Sequence, residues 1–174
     1  MRRILTIGLA FTLIFSTAPA WGAYKLTPEE HRILSAWLAR HPKFRAATDS
    51  DCNCPEDIER TRTASEGVWK AVPNYHPYRV SGDLNGDGMT DFAVVVLERT
   101  GSMRSATLLV FDGPFSDLQT EPTFIETLDM VGDALHYGPP RPKPHRLIIG
   151  GFDTDNTLML VPKGHGYELQ AQGD

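Results

Sequence analysis

Basic charge is in short supply in this chain of 174 residues: 17 lysines and arginines stand against 22 aspartates and glutamates, a formal charge of -5. A protein without a basic stripe has no electrostatic footprint for a phosphate backbone, so nucleic acid is not an expected partner. Cysteine is scarcer still, with only Cys52 and Cys54. A structural zinc site usually takes four ligands, and no CxxC or paired-histidine spacing supplies the other two. The six histidines, His31, His41, His76, His136, His145 and His165, show no HExxH spacing. Ser81 and Ser102 lie near glycines but outside a G-x-S-x-G elbow, and the phosphate-loop and dinucleotide fingerprints are absent. What is present is a globular composition, 41% apolar, of a size that suits one compact domain.

The first twenty residues stand apart. Arg2 and Arg3 make a positive start, Ile4 to Phe15 is a short apolar run, and Ala18-Pro19-Ala20 has the small-x-small form that signal peptidase accepts. The run falls short of the roughly 20 residues a spanning helix needs, so a cleaved export signal over residues 1–20 is expected, with no integral membrane span afterwards. Cleavage removes two arginines and no acid, moving the formal charge to about -7. A periplasmic or secreted location follows, with an envelope ligand or another protein as the unidentified partner.

Residues 21–174 read as a single α+β domain. Thr27-Pro28-Glu29-Glu30 carries the marks of a helix start: an N-cap hydroxyl, proline at the first helical position and a glutamate placed to complete a capping box. Ile33, Leu34, Trp37 and Leu38 then share one face, predicting an amphipathic helix from about residue 28 to 40 that stops before Pro42. A second, weaker helix can open at Pro55-Glu56-Asp57. After the loop from Val72 to Pro77 the pattern changes to strands, expected at 78–81, 92–97, 106–111, 123–128, 147–150, 157–161 and 167–170. Helices first and short strands afterwards predict an N-terminal helix, or two, packed on an antiparallel meander of five to seven strands. Gly138 to Pro144 is proline-dense and reads as a stiff surface crossing.

One segment carries chemistry. Asp83-Leu84-Asn85-Gly86-Asp87-Gly88-Met89-Thr90-Asp91 sets oxygen-bearing side chains at positions 1, 3, 5 and 9, with glycine at position 6. Hard cations such as Ca²⁺ take six to eight oxygens at about 2.3–2.6 Å, and alternating Asp and Asn side chains on a tightly turning backbone can converge on one point. The carbonyl of Met89 can add another oxygen. Position 12 is Val94, where an EF-hand needs its bidentate glutamate, and strands flank the loop where that motif has helices. The same Asn-Gly and Asp-Gly steps can also form a hairpin turn with no ion bound.

The loop and the apolar strand after it, Phe92-Ala93-Val94-Val95-Val96, resemble the calcium loop of FG-GAP and related VCBS-type repeats, whose pattern is D-x-[DN]-x-D-G-x-x-D. The resemblance covers about 20 residues in one copy, so it implies a strand-loop-strand element and no propeller. It implies ligation by Asp83, Asn85, Asp87 and Asp91 with the Met89 carbonyl, and Ca²⁺ as the cofactor. The expected function is a non-catalytic binding or scaffolding module. Two rivals stay open: a metal-dependent hydrolase using the same loop with His76 or His136 as base, and a thiol-disulfide protein using Cys52 and Cys54. Asp153-Thr154-Asp155-Asn156 is a polar turn that could hold a second ion.

Overall fold

The structure is a computed structural model that describes residues 24–65, 70–138, 145–152 and 157–172. The segment expected to be an export signal, most of the proline-dense segment and the expected turn at residues 153–156 therefore lie outside the described residues. The first helix, α1, runs Pro28–Arg40, and its start is the expected capping box. The Glu30 amide donates to the Thr27 hydroxyl at 3.2 Å, and the Thr27 amide donates to Glu30 Oε2 at 2.6 Å. Ile33, Leu34 and Trp37 are buried along one stripe, which places the helix flat on a sheet. The second helix, α2, spans Pro55–Thr63 and buries Ile58.

Nine strands follow among the described residues, all paired antiparallel, in two sheets. The first sheet holds β1 (Phe44–Ala46), β2 (Arg79–Gly82), β3 (Asp91–Glu98), β4 (Ala106–Phe111) and β5 (Phe124–Leu128). Its centre is β3, which pairs with β4 along one side, while β2 and β1 pair with its N-terminal and C-terminal parts in turn. The second sheet runs in order β6 (Asp133–His136), β7 (Leu147–Gly151), β8 (Thr157–Lys163) and β9 (Gly166–Gln172). The α+β class is as expected, with the helices at the N-terminal side. The strand inventory is larger than a five-to-seven-stranded meander: β1 and β6 are added and the chain divides between two sheets.

The layers explain the composition of β3 and β4. Successive side chains of a strand point to opposite faces. Phe92, Val94, Val96, Leu109 and Phe111 join Ile33, Leu34 and Trp37 of α1 in one apolar cluster. Ala93, Val95, Leu97, Leu108 and Val110 join Leu135, Leu147, Ile149 and Leu160 of the second sheet in another. Both faces of the first sheet are thus covered, so its central strands have no use for polar alternation. Among the described residues no helix is long and apolar enough to cross a membrane.

One buried charge links the helix to the sheet. Glu30 is nearly inaccessible, and its Oε1 accepts from the Ser81 hydroxyl at 2.6 Å while Oε2 caps the helix. Both carboxylate oxygens are therefore satisfied inside the protein, as burial demands. Ser81 belongs to β2, so the same contact fixes α1 over the strand that enters the Asp83–Asp91 loop.

Candidate functional site

The loop joins β2 to β3 as a hairpin, the strand-loop-strand arrangement the sequence predicts. Its own side chains fold the tip. Asp83 Oδ1 accepts from the Gly86 amide at 2.7 Å, and Asp83 Oδ2 accepts from the Gly88 amide at 3.1 Å. Asn85 Oδ1 accepts from the Asp87 amide at 2.9 Å, and Asp87 Oδ1 accepts from the Met89 amide at 2.7 Å. Such side-chain-to-backbone bonds are what Asp and Asn offer in turns. Gly86 and Gly88 have φ of 87° and 86°, a left-handed conformation that residues with a Cβ rarely adopt.

Asp91 stands apart from the other predicted ligands. Its side chain is fully buried at the base of the hairpin. Oδ2 accepts from the Leu84 and Asn85 amides at 2.9 and 3.3 Å, and Oδ1 accepts from the Gly113 amide at 3.0 Å. Burial pushes the carboxyl up to about 6, with nearby Asp112 adding to the rise and the three amides opposing it. Asp91 is thus a clamp that ties the two ends of the loop to the turn after β4.

Three further residues support the loop: Leu84 from within it, and Tyr137 and Gly113 from distant parts of the chain that no local pattern ties to it. Leu84 buries its side chain in the main core and anchors the loop from within. Tyr137 donates its hydroxyl to the Asp83 carbonyl at 2.7 Å, and its ring lies where a Cβ on Gly82 would come within 2.4 Å. A Cβ on Gly113 would come within 2.4 Å of the Thr90 carbonyl, so glycine there permits the close approach that the Asp91 clamp uses. The signals available were Gly113 and, under the Tyr137 ring, Gly82, and a glycine by itself points nowhere.

The donor set suits a hard cation: the carboxylates of Asp83, Asp87 and Asp91, the Asn85 amide oxygen and the Met89 carbonyl are all oxygens. Asp83 and Asn85 are partly accessible, and Asp87, Gly88 and Met89 are exposed at the tip. Among the described residues no three His, Cys, Asp or Glu side chains converge into a metal-holding group. The tip oxygens instead face the loop's own amides, and the Asn85 side-chain amide donates to Asp87 Oδ2 at 3.1 Å. A carboxylate oxygen accepting one such bond keeps a second lone pair, so the chemistry of the set fits a hard cation.

Other candidates fall elsewhere. A cleft of about 580 Å³ opens beside the loop, between Met89 and Thr90 on one side and Thr27, Glu29, Arg32 and Phe115 on the other. Neither His76 nor His136 lines it. His76 Nδ1 lies 2.8 Å from Asp49 Oδ1, and His136 Nε2 lies 3.3 Å from the Gly150 carbonyl. The structure therefore does not bring the two proposed bases to the cleft. Cys52 and Cys54 are joined in a disulfide.

The segment before that disulfide carries the clearest titration. The Arg45 guanidinium donates to both oxygens of Asp51, at 2.6 and 2.8 Å, and holds that carboxyl well below the usual range. Partial burial opposes the shift, and the Thr48 amide and hydroxyl reinforce it. A carboxyl depressed by folding contributes stability that is present above its unfolded value of about 3.9 and lost as pH falls through the folded value. Arg45 is about a third exposed, so screening limits the contribution to about 1 kcal/mol. Asp51→Asn should lower stability by about that amount at neutral pH. It should also flatten the acid limb of urea-melt stability below about pH 4. An unchanged acid limb would show that the pair does not hold in solution.

Comparison of the chain with protein-family models, with curated proteins and with solved structures found no match.

Proposed function

We propose that the chain is an exported calcium-binding module whose β2–β3 hairpin is a structural Ca²⁺ site, acting by non-catalytic binding or scaffolding in the cell envelope. The observation that carries the reading is the tip itself. Asp83, Asn85 and Asp87 sit at alternate positions of one glycine-hinged turn, with their oxygens on the amides of that same turn. The two aspartates of this turn repel each other when no ion is bound, and a divalent cation relieves that repulsion. Asp83, Asn85, Asp87 and the Met89 carbonyl would make the first contacts, with Asp91 holding the base and available as a further ligand.

The site is modest in strength. Extracellular modules with oxygen ligands bind calcium at about 10⁻⁴ to 10⁻³ M. At about 1 mM calcium and a dissociation constant of about 10⁻⁴ M, mass action stabilises the fold by roughly 1.4 kcal/mol. For a domain of this length that is a rise of about 3–6 °C in the melting midpoint. The expected result is this rise for the unmutated protein on replacing EDTA with calcium, and no rise for Asp87→Ala. Asp87 is exposed, so its replacement leaves the core intact, and the turn hydrogen bonds it loses from Met89 and Asn85 cancel when the two buffers are compared for the same variant. Equal midpoints in both buffers for the unmutated protein would make the hairpin a bare turn.

A further inference from the structure

The Cys52–Cys54 bridge spans a single residue, Asn53, whose φ of 53° is left-handed. A bridge that closes so short a segment constrains the unfolded chain least of all, so stability does not account for it. Its placement does suggest a use. Cys54 is the N-cap of α2, Pro55 opens the helix, and the Cys54 side chain makes no capping hydrogen bond while it is in the bridge. Once reduced, its sulfur would sit at the positive end of a nine-residue helix, where backbone amides stabilise a thiolate.

The two sulfurs are placed unequally. Cys52 is buried and belongs to the apolar cluster that includes Ile58, Tyr75, Tyr78 and Met103. Cys54 packs against the rim of the same cluster but is partly exposed, beside exposed Asn53 and Pro55. Burial raises a thiol's pKa, whereas a helix N-terminus lowers it. Three carboxylates close in sequence could cancel that effect, but each has an arginine partner. Asp49 pairs with Arg62 at 2.6 Å, Asp51 with Arg45 at 2.6 Å, and Asp57 with Arg60. Of the acids in this segment, Glu56 is exposed on the first turn, where water screens it.

We propose that Cys52–Cys54 is a thiol-disulfide exchange site that passes its bridge to a protein dithiol, with Cys54 as the attacked sulfur and Cys52 as the buried leaving one. A substrate thiolate attacks Cys54 Sγ, forming a mixed disulfide and expelling Cys52 as a thiolate that takes a proton. The second substrate thiolate then attacks its own partner sulfur and releases Cys54 as the thiolate that the helix end favours. The substrate loses two electrons and leaves as a disulfide, and the protein gains them as a dithiol.

The test uses the purified oxidised protein and a reduced dithiol peptide at neutral pH. One disulfide per protein should pass to the peptide while circular dichroism shows the fold intact. In Cys52→Ser, oxidised glutathione should trap a mixed disulfide on Cys54 at least about ten-fold faster than Cys54→Ser traps one on Cys52. Alkylation of Cys54 in Cys52→Ser should titrate at least about one pH unit below the ordinary thiol value of about 8.5. A peptide that stays reduced beside folded, oxidised protein would overturn the proposal, as would faster trapping on Cys52. If either variant fails to fold, the wild-type transfer decides alone.

Discussion

Phe92→Ala is expected to lower the unfolding free energy by about 3–5 kcal/mol, the usual cost of deleting a fully buried aromatic side chain. Phe92 is the first helix-facing residue of β3 and has no exposed surface. Its ring stacks on Phe111 of β4 at 4.5 Å with an interplanar angle of 10°, and meets Phe115 edge-on at 5.3 Å. The neighbours are held in place around the space the ring would leave, Phe111 by the pairing of β4 with β3 and the helix side chains by α1. Phe92→Leu retains most of the volume and should cost less than about 1.5 kcal/mol. Urea melts of the two variants check this, and a loss below about 1 kcal/mol for alanine would mean that α1 does not seal that face of the sheet.

Asp91→Ala is the second large effect, about 2–4 kcal/mol with no cation present. Removing the carboxyl leaves the Leu84, Asn85 and Gly113 amides without their acceptor at a buried site, and each such group costs about 1–3 kcal/mol, less than additively. Relief of the carboxylate's own burial returns part of that loss, since the same burial pushes its titration upward. The contrast with the tip is informative. Asp91→Ala should destabilise the protein equally in EDTA and in calcium, whereas Asp87→Ala should cost little in EDTA, the loss of two exposed turn hydrogen bonds, and should abolish the calcium-dependent increment. Melts of both variants in both buffers separate holding the hairpin from holding the ion.

Much of this architecture was legible because local chemistry and tertiary demand agree. The α1 boundaries follow from the Thr27–Glu30 capping box and Pro42, and the buried stripe follows from the helical period. Seven of the nine strands announce themselves by β-branched and aromatic runs between turn residues. The two that do not are short. Phe44–Ala46 is held by pairing with β3 and by packing on the cluster around Trp37, and Asp133–His136, with no β-branched residue, is held by pairing with β7. Nor could the division into two sheets be read, because it occurs after β5 at a turn ending on left-handed Gly132, and turn residues announce a reversal without naming the new partner.

The loop divides in the same way. Its hairpin form and its glycine hinges were written in the Asn-Gly and Asp-Gly steps. The different roles of its aspartates were not, since Asp91 owes its burial to Gly113 and Thr90, and the loop owes its seat to Tyr137. Contacts spanning 22 and 54 residues leave no local pattern.

A crystal grown in abundant calcium tests the metal assignment most directly. The prediction is a peak at the β2–β3 tip bound at about 2.3–2.6 Å by Asp83, Asn85, Asp87 and the Met89 carbonyl, with the Asn85–Asp87 side-chain bond broken. Carboxylates still resting on the Gly86, Gly88 and Met89 amides, with water and no ion between them, would contradict it.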